Sequence, residues 1–365
     1  MKLAVKLLLI MVLPFTILAV KLISRAPNSV EEIYVRRIYP VIASLLNTVN
    51  GLLPFSLAEI IVLLFFAAIV GSIINLLVQL IRRPWYRRKL IVNYVLNLFL
   101  AISLIYAGFI FLWGLNYHRL PFSTITQLET GDASLEELIA LNETLILRAN
   151  EQRLLVQEDE NGVMHLPAGI KDVFRRADKG YEQAGVYFPA LAGSYSQPKG
   201  ILLSPLMAWT GIWGVYFPFT GEANVNTAIP HSMLPNITAH EMAHQRGFAR
   251  EDEANFIAYL TASMHPDSDF QYSGTLLALM HSMSALARQD RDKYYELRDK
   301  YSDGVRRDLH HVNEFSRKHD SIISEISDRI NNAYLKANAQ RDGVKSYGRM
   351  VDLLIAYHRS IPLED

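Results

Sequence analysis

The chain has 365 residues, with 36 basic and 36 acidic side chains and a formal net charge of zero. This balance leaves no basic surface of the kind that binds nucleic acid, so we expect no nucleic-acid partner. The chain contains no cysteine, which excludes disulfides, thiolate zinc sites, iron–sulfur clusters and cysteine nucleophiles. Any bound metal must therefore be held by His, Asp or Glu side chains.

Half of the residues are hydrophobic, and the apolar excess lies in the first third of the chain. Residues 60–81 and 90–115 carry no charge, and each is long enough to cross the ~30 Å of bilayer hydrocarbon as a helix. Residues 3–23 predict a first span whose lysines snorkel, although the run 7–20 also resembles the core of a signal peptide. We favour a retained span, because no good cleavage site follows it. Residues 1–117 are therefore predicted to be a membrane anchor.

The loop at residues 82–89 predicts the orientation of these spans. It carries five basic residues and no acidic one, and such short loops stay on the cytoplasmic side of the membrane. The third span then runs outward, with Trp113 and Tyr117 as an aromatic belt at its outer end. Residues 118–365 are predicted to form an extracytoplasmic domain anchored to the lipid bilayer.

The order of elements in this second region predicts an α+β fold that is mostly helical. Ser134 and Glu137 form a capping box at the start of a helix, and residues 170–184 predict another helix that stops at Gly185. Short strands are expected at 200–203, 212–217 and 222–226, forming a small antiparallel sheet. From Asn236 onward the pattern is helical.

Residues 240–244 read His-Glu-Met-Ala-His, an H-E-x-x-H sequence. On a helix, His240 and His244 share one face, so both imidazoles can bind one Zn²⁺ ion. Glu241 is expected to act as the general base on a zinc-bound water, whose pKa the metal lowers toward ~7. Asn236 is predicted as the N-cap of this helix, and Gly247 permits a left-handed turn after it.

A third metal ligand is expected from the helix predicted to begin at Glu251. Gluzincin metallopeptidases take a ligand from a glutamate on a following helix, and Glu251, with Ala254 and Asn255 three and four residues later, resembles their pattern. Glu253 is the alternative ligand, although helical-face geometry favours Glu251. Asn255 is expected to accept a hydrogen bond from a ligand imidazole.

Two features separate this segment from better-known zinc sites. Only six residues lie between His244 and Glu251, fewer than in most gluzincins. The sequence after His244 follows the metzincin arrangement as far as Arg250, which stands where that arrangement has a histidine and cannot bind zinc at neutral pH. We therefore expect a compact site with a metzincin-like turn and a gluzincin-like glutamate.

The aromatic-rich residues 213–226 look like a strand pair around a turn. Zinc peptidases commonly place an edge strand above the zinc helix, where a peptide substrate pairs with its backbone. An ordinary hairpin buried by its aromatic side chains is at least as compatible with the sequence, so both interpretations stay open.

The apolar N-terminal segments, residues 213–226 and residues 239–256 together resemble a bacterial membrane family catalogued as domain of unknown function 3810. Residues 343–352 also look like that family, so the resemblance covers nearly the whole chain. It implies a multi-pass protein of the bacterial cell membrane, in a gluzincin-like zinc metallopeptidase group without a settled substrate.

The remaining histidines have weaker signals. His310 and His311 lie in a charged helical stretch and are expected to face solvent, whereas His231 is expected to be a turn residue. Three candidates to donate a hydrogen bond to a developing oxyanion are Tyr347, Tyr259 and Arg349.

The sequence predicts a membrane-anchored zinc-dependent hydrolase, most simply a peptidase that cuts an extracytoplasmic peptide or cell-envelope substrate. Two alternatives remain open. One is a non-enzymatic, membrane-tethered binding or sensory protein with a structural metal site, against which the intact Glu241 argues. The other is a cell-wall amidase, because H-E-x-x-H favours amide cleavage without naming the amide.

Overall fold

The computed structural model describes residues 3–131, 133–338 and 349–360. The chain divides into two compact units. Unit 1 comprises Met1–Arg119 together with Phe217–Gly221, and unit 2 comprises Leu120–Tyr216 together with Glu222–Asp365. The short segment Phe217–Gly221 therefore returns to unit 1 although the chain on both sides of it belongs to unit 2.

Unit 1 is helical. Its helices are α1 (Leu3–Ile10), α2 (Val12–Ile23), α3 (Pro27–Ser29), a π-helix (Val30–Ile38), α4 (Tyr39–Gly51), α5 (Leu57–Arg82), a 3-10 turn (Pro84–Tyr86), α6 (Arg87–Leu112) and a second 3-10 turn (Gly114–His118).

Among the described residues, three segments are long and apolar enough to cross a membrane, namely Leu3–Ile23, Leu57–Arg82 and Pro84–Leu112. The prediction of three apolar N-terminal helices is thus confirmed. The basic loop is shorter than expected, because Arg87 already begins α6 and only a 3-10 turn starting at Pro84 separates α5 from α6. Few of the apolar side chains in these segments are buried inside the protein, which is the pattern of helices that face lipid.

Buried polar contacts hold unit 1 together outside these helices. Arg119 Nη2 lies 3.3 Å from Glu31 Oε1, and both side chains are 3% exposed. The Asn50 amide donates to the carbonyl of Thr220 at 2.7 Å. The second contact is one of those that join Phe217–Gly221 to this unit.

Unit 2 contains the remaining elements, although Phe217, the last residue of its second strand, is grouped with unit 1. They are α7 (Phe122–Thr126), α8 (Leu135–Arg153), α9 (Ile170–Arg176), α10 (Asp178–Tyr187), a 3-10 turn (Pro189–Leu191), β1 (Lys199–Gly200), α11 (Ser204–Ala208), β2 (Gly214–Phe217), β3 (Glu222–Val225), α12 (Leu234–Gln245), α13 (Glu251–Ser263), α14 (Ser268–Gln289), α15 (Arg291–Arg298), α16 (Asp303–Lys318), α17 (Ile322–Ala337) and α18 (Met350–Ser360).

Local sequence signals predicted one helix start well and one helix end badly. The capping box at α8 is confirmed, with the Glu137 N–H donating to Ser134 Oγ at 3.2 Å and the Ser134 N–H donating to Glu137 Oε2 at 2.9 Å. The single helix predicted for 170–184 is wrong, because the structure has α9 and α10 and the second continues past Gly185. Gly185 instead allows close packing, since a Cβ there would lie 3.2 Å from the Cα of Ala192.

The small sheet is mixed, so the prediction of an antiparallel sheet is wrong. Its strand order is β1-β3-β2, and β1 pairs with β3 in parallel, with Lys199 opposite Asn224 and Gly200 opposite Val225. Parallel strands need a crossover connection, and the segment that contains α11 provides it. Strand β1 covers Lys199–Gly200 and not the predicted 200–203, because residues 202–203 form a turn that leads into α11. Strand β2 lies at an edge of the sheet.

The core of unit 2 is built around α14, which packs against α8 and α13. Helices α13 and α14 approach closely at Gly274, where a Cβ would lie 2.6 Å from the Cβ of Ala262. The largest side chains that this packing buries completely are Tyr181, Tyr259, Tyr272, Phe122, Phe248, Phe256 and Phe270. Burial of this apolar surface provides most of the favourable free energy of folding.

A buried carboxylate joins four parts of unit 2. Asp308 on α16 is fully buried and lies 2.7 Å from Nε of Arg153 on α8. It also accepts hydrogen bonds at 2.7 Å from the hydroxyl of Tyr272 on α14 and from the N–H of Met164. Removing one member of a buried ion pair costs about 3–5 kcal/mol, because the charge that remains loses its closest partner.

We expect Asp308→Ala to lower the thermal midpoint of the full-length protein in detergent by at least about 6 °C, given about 2–4 °C per kcal/mol for a unit of this size. Asp308→Asn should fall between this variant and the wild type, because its amide can still accept hydrogen bonds. Arg317→Ala is the control, since its ion pair with Glu314 is exposed. An unchanged midpoint for Asp308→Ala would contradict this role.

Candidate metal centre

Helix α12 is fixed at its start by α14 rather than by its own cap. The prediction of Asn236 as the N-cap is wrong, because the helix begins at Leu234 and Met233 occupies the cap position. Asn236 lies in the first turn, where its N–H donates to Ser273 Oγ at 3.1 Å and its amide donates to the Ser273 carbonyl at 3.0 Å. These bonds hold the H-E-x-x-H helix against the core.

The turn after α12 positions one imidazole. Gly247 has a φ of +80°, the left-handed conformation that the sequence predicted for it. The chain then folds back, with the Phe248 N–H donating to the Ala243 carbonyl at 3.1 Å and the Phe248 carbonyl lying 2.7 Å from His244 Nδ1. A hydrogen bond from Nδ1–H to this carbonyl leaves Nε2 as the ligand nitrogen, which is the usual arrangement around metal-binding histidines.

The structure brings the three predicted ligands to one point. His240 Nε2 lies 3.1 Å from His244 Nε2, and the carboxylate oxygens of Glu251 lie 3.3 Å from His240 Nε2 and 3.6 Å from His244 Nε2. Ligand atoms at tetrahedral corners around one zinc ion are about 3.3 Å apart, since each lies ~2.0–2.1 Å from the metal. The donor set therefore fits a single divalent cation in both chemistry and spacing, and it is the one group of this kind among the described residues.

Charges at this cluster are strongly coupled. Burial opposes the charge of His244, but the Glu251 and Glu241 carboxylates outweigh it and raise the pKa of His244 to about 9. Burial also opposes the charge of Glu251, yet the two imidazoles hold the pKa of its carboxyl well below the usual range. Glu251 is thus an anion at neutral pH, as a metal ligand must be.

Glu241 lies beside the cluster in a different environment. Burial raises the pKa of Glu241 to about 7, because it outweighs the attraction of the two histidines. Strand β2 covers this carboxylate closely: a Cβ on Gly214 would lie 2.7 Å from Glu241 Cγ, and the backbone N–H of Tyr216 donates to the carboxylate. Its Oε2 atom has no hydrogen-bond partner among the described residues. The arrangement leaves one buried carboxylate oxygen available for a proton.

Glu253, the alternative ligand, points elsewhere. Its Oε1 accepts a hydrogen bond from the Phe122 N–H at 2.8 Å and lies 2.9 Å from Arg250 Nη1. The same ion pair engages the side chain of Arg250, the residue at the position where metzincins have a ligand histidine. The expected hydrogen bond from an imidazole Nδ1 to Asn255 is not formed, since His244 bonds Phe248 and His240 Nδ1 has no partner among the described residues.

The three oxyanion candidates receive no support from these contacts. Tyr347 lies outside the described residues. The Tyr259 hydroxyl lies 3.4 Å from Nε2 of His358, and Arg349 Nε lies 2.9 Å from Asp252, so both side chains are engaged by other partners.

Three other histidines lie where the sequence predicts them. His310 and His311 are exposed on α16, and His231 lies in a turn, where its Nδ1 accepts a hydrogen bond from the Leu166 N–H at 3.3 Å.

His281 on α14 is a residue that the sequence did not single out. Burial is the main reason that the pKa of His281 falls to about 4, and the charges of His240 and Arg288 contribute to the same shift. No short-range motif links His281 to the H-E-x-x-H helix, so only the packing of α14 on α12 reveals it.

We expect Glu251→Gln to reduce the affinity for Zn²⁺ by more than the ~10–100-fold that losing a ligand's hydrogen-bond partner costs, because the anionic oxygen is lost. Glu253→Gln is the matched control and should retain wild-type affinity, since an amide oxygen can still accept from Phe122. Titration of the metal-stripped full-length protein with zinc, in the presence of a competing zinc indicator, measures the affinity of each variant. Loss in the Glu253 variant but not in the Glu251 variant would reverse the assignment.

Comparison with known proteins identifies the family of this chain and gives no further relative. No curated protein matches the chain, and no solved structure matches it. Residues 34–355 match the family described as "Protein of unknown function (DUF3810)", and this range includes the H-E-x-x-H helix, Glu251 and most of α18. The chain therefore belongs to the DUF3810 family.

Proposed function

We propose that this protein is a membrane-anchored, zinc-dependent hydrolase, a peptidase of gluzincin-like character that acts on an extracytoplasmic peptide or envelope substrate. One observation carries the proposal: two imidazoles and one carboxylate converge at tetrahedral spacing beside a buried glutamate, one of whose oxygens has no hydrogen-bond partner in the described part of the chain. This combination is the one that metal-assisted amide hydrolysis requires.

The residues divide the work between binding and proton transfer. His240, His244 and Glu251 would hold the ion, and a zinc ion held there supplies a Lewis acid that polarises a carbonyl and acidifies water. Glu241 accepts the proton of the attacking water on Oε2 and delivers it to the leaving nitrogen. Strand β2 keeps this carboxylate in place through Gly214 and Tyr216.

The number of ligands favours a catalytic site over a structural one. Structural zinc sites are held by four protein ligands, whereas catalytic sites use three and leave one position for substrate or water. Three donors form this cluster among the described residues. A purely structural site would also have no use for a buried carboxylate beside the ligands.

The position of β2 favours an extended substrate. It is an edge strand of the sheet, and its residues contact the proposed general base directly. An extended peptide that pairs with such an edge would run past the metal ligands, with its backbone recognised by hydrogen bonds. This supports a peptidase over an amidase that reads a branched cell-wall linkage.

The sequence supports a membrane anchor and also indicates on which side of the membrane the proposed hydrolase acts. Three apolar helices precede the metal centre, and the basic residues between the second and third favour a cytoplasmic connection. With that orientation, unit 2 and its metal centre lie outside the cytoplasm.

We expect Glu241→Gln to retain one equivalent of zinc and to lose hydrolysis by about 10²–10⁴-fold, because the amide cannot accept the proton. Cleavage of a synthetic peptide mixture by the purified full-length protein, read by mass spectrometry, measures the loss. Metal analysis of the same sample is the control for folding. Wild-type cleavage by this variant would remove Glu241 as the base.

We expect Gly214→Ala to lower cleavage at least ~10-fold while zinc binding persists, because the added methyl group would displace the Glu241 carboxylate. Val215→Ala is the matched control, since Val215 is the next residue of β2 and its side chain is exposed. Equal activity of both variants in the peptide assay would contradict the positioning role of Gly214.

A further inference from the structure

Unit 2 carries an exposed apolar surface that neither its core nor its metal centre uses. Seventeen large apolar side chains of its described residues are exposed, and eight of them lie in just two segments, 206–215 and 322–330. We call these eight side chains the apolar patch; they are Leu206, Trp209, Ile212, Val215, Ile322, Ile323, Ile326 and Ile330. Contiguous apolar surfaces on a folded unit usually mark an interaction site.

The two segments adjoin each other in the structure. Ser321 Oγ, at the start of α17, donates to the Trp209 carbonyl at 3.2 Å. The Trp209 ring lies 5.0 Å from the His319 ring, centre to centre. A Cβ on Gly211 would lie 3.5 Å from the Cβ of Ser324. The α11 region therefore packs against the start of α17, so the exposed side chains of the two segments lie in neighbouring parts of unit 2.

Helix α17 presents a stripe of isoleucines along this surface. Ile322, Ile326 and Ile330 follow one another at intervals of four residues and are 76%, 50% and 65% exposed. Side chains at this spacing share a helix face, whereas Asp328 lies two residues from Ile326 and from Ile330 and projects from the opposite side. An apolar stripe opposed by polar residues is the pattern of a helix that lies in a membrane interface.

The covalent connections keep unit 2 near the membrane. Only seven residues separate the end of α6 at Leu112 from Leu120, where unit 2 begins. Even a fully extended chain of that length spans at most about 25 Å, and five of these residues form a 3-10 turn, which is shorter. A second connection is shorter still, because Val215 of the patch lies two residues before Phe217, which belongs to unit 1. Trp209 adds a side chain of the type that is enriched at membrane–water interfaces.

We propose that the apolar patch of α11 and α17 lies in the interfacial layer of the lipid bilayer, so that unit 2 rests on the membrane through this surface. Burial of isoleucine, leucine and tryptophan side chains among lipid headgroups and acyl chains removes them from water, which favours the contact. The proposal concerns this surface alone and does not depend on the metal centre. A metal centre carried by the same unit would then work close to the bilayer surface.

The absence of cysteine makes a direct test possible with single labelling sites. Full-length variants Ile326→Cys and Ile330→Cys are labelled with an environment-sensitive fluorophore and reconstituted into vesicles of phosphatidylcholine and phosphatidylglycerol, with or without brominated acyl chains. Asp328→Cys is the matched control on the other side of α17. Leu147→Cys, an exposed apolar position outside the patch, is the control for apolarity, and Phe66→Cys in α5 is the control for insertion.

We expect the labels at 326 and 330 to shift to shorter wavelength and to lose most of their intensity in brominated vesicles, as the label at 66 does, whereas those at 328 and 147 stay unquenched. Unquenched, water-like emission at 326 and 330 would overturn the proposal. A blue shift there without quenching by brominated lipid would also overturn it, because the patch would then be covered by protein, either another segment or a second copy. Absence of quenching at 66 as well would show that the chain is not membrane-inserted.

Discussion

The close approach of two imidazoles and one carboxylate within a stretch of twelve residues is the constraint on which the local structure depends. His240 and His244 lie on one helix and Glu251 begins the next, so the chain must reverse direction within six residues. The left-handed Gly247 makes that reversal possible, and the Phe248 carbonyl that it brings back orients the His244 ring. Helix α14 then fixes both helices, through Ser273 at the start of α12 and through the close approach of Gly274 to α13.

The same packing separates the roles of the neighbouring carboxylates. Glu251 faces two imidazoles and is held as an anion, whereas burial pushes the pKa of Glu241 toward neutrality. Glu253, only two residues beyond Glu251, has a structural role, because it accepts a hydrogen bond from the N–H of Phe122 and pairs with Arg250. Three glutamates within thirteen residues thus lie in three different environments. These environments are set by the tertiary structure and not by the spacing of the glutamates in the sequence.

The features that the sequence predicted correctly are those that depend on signals within a few neighbouring residues. The three apolar helices, the capping box at Ser134 and the left-handed Gly247 follow from hydropathy, capping chemistry and backbone sterics, which act over a few residues. The parallel pairing of β1, the partner of Asn236 and the cover of Glu241 by Gly214 depend on contacts between distant segments. No pattern in the local sequence encodes those contacts. For the same reason, the sequence could rank Glu251 above Glu253 only by helical phase, and it could not detect His281 near His240.

X-ray absorption at the zinc edge tests the central claim most directly, because it reports the atoms around the ion. The full-length protein, loaded with one equivalent of Zn²⁺, should show a first shell of nitrogen and oxygen at ~2.0–2.1 Å with the multiple scattering of two imidazoles. His244→Ala should lose that signature. A shell of oxygen alone, or a spectrum unchanged by the loss of His244, would contradict a metal centre built from His240, His244 and Glu251.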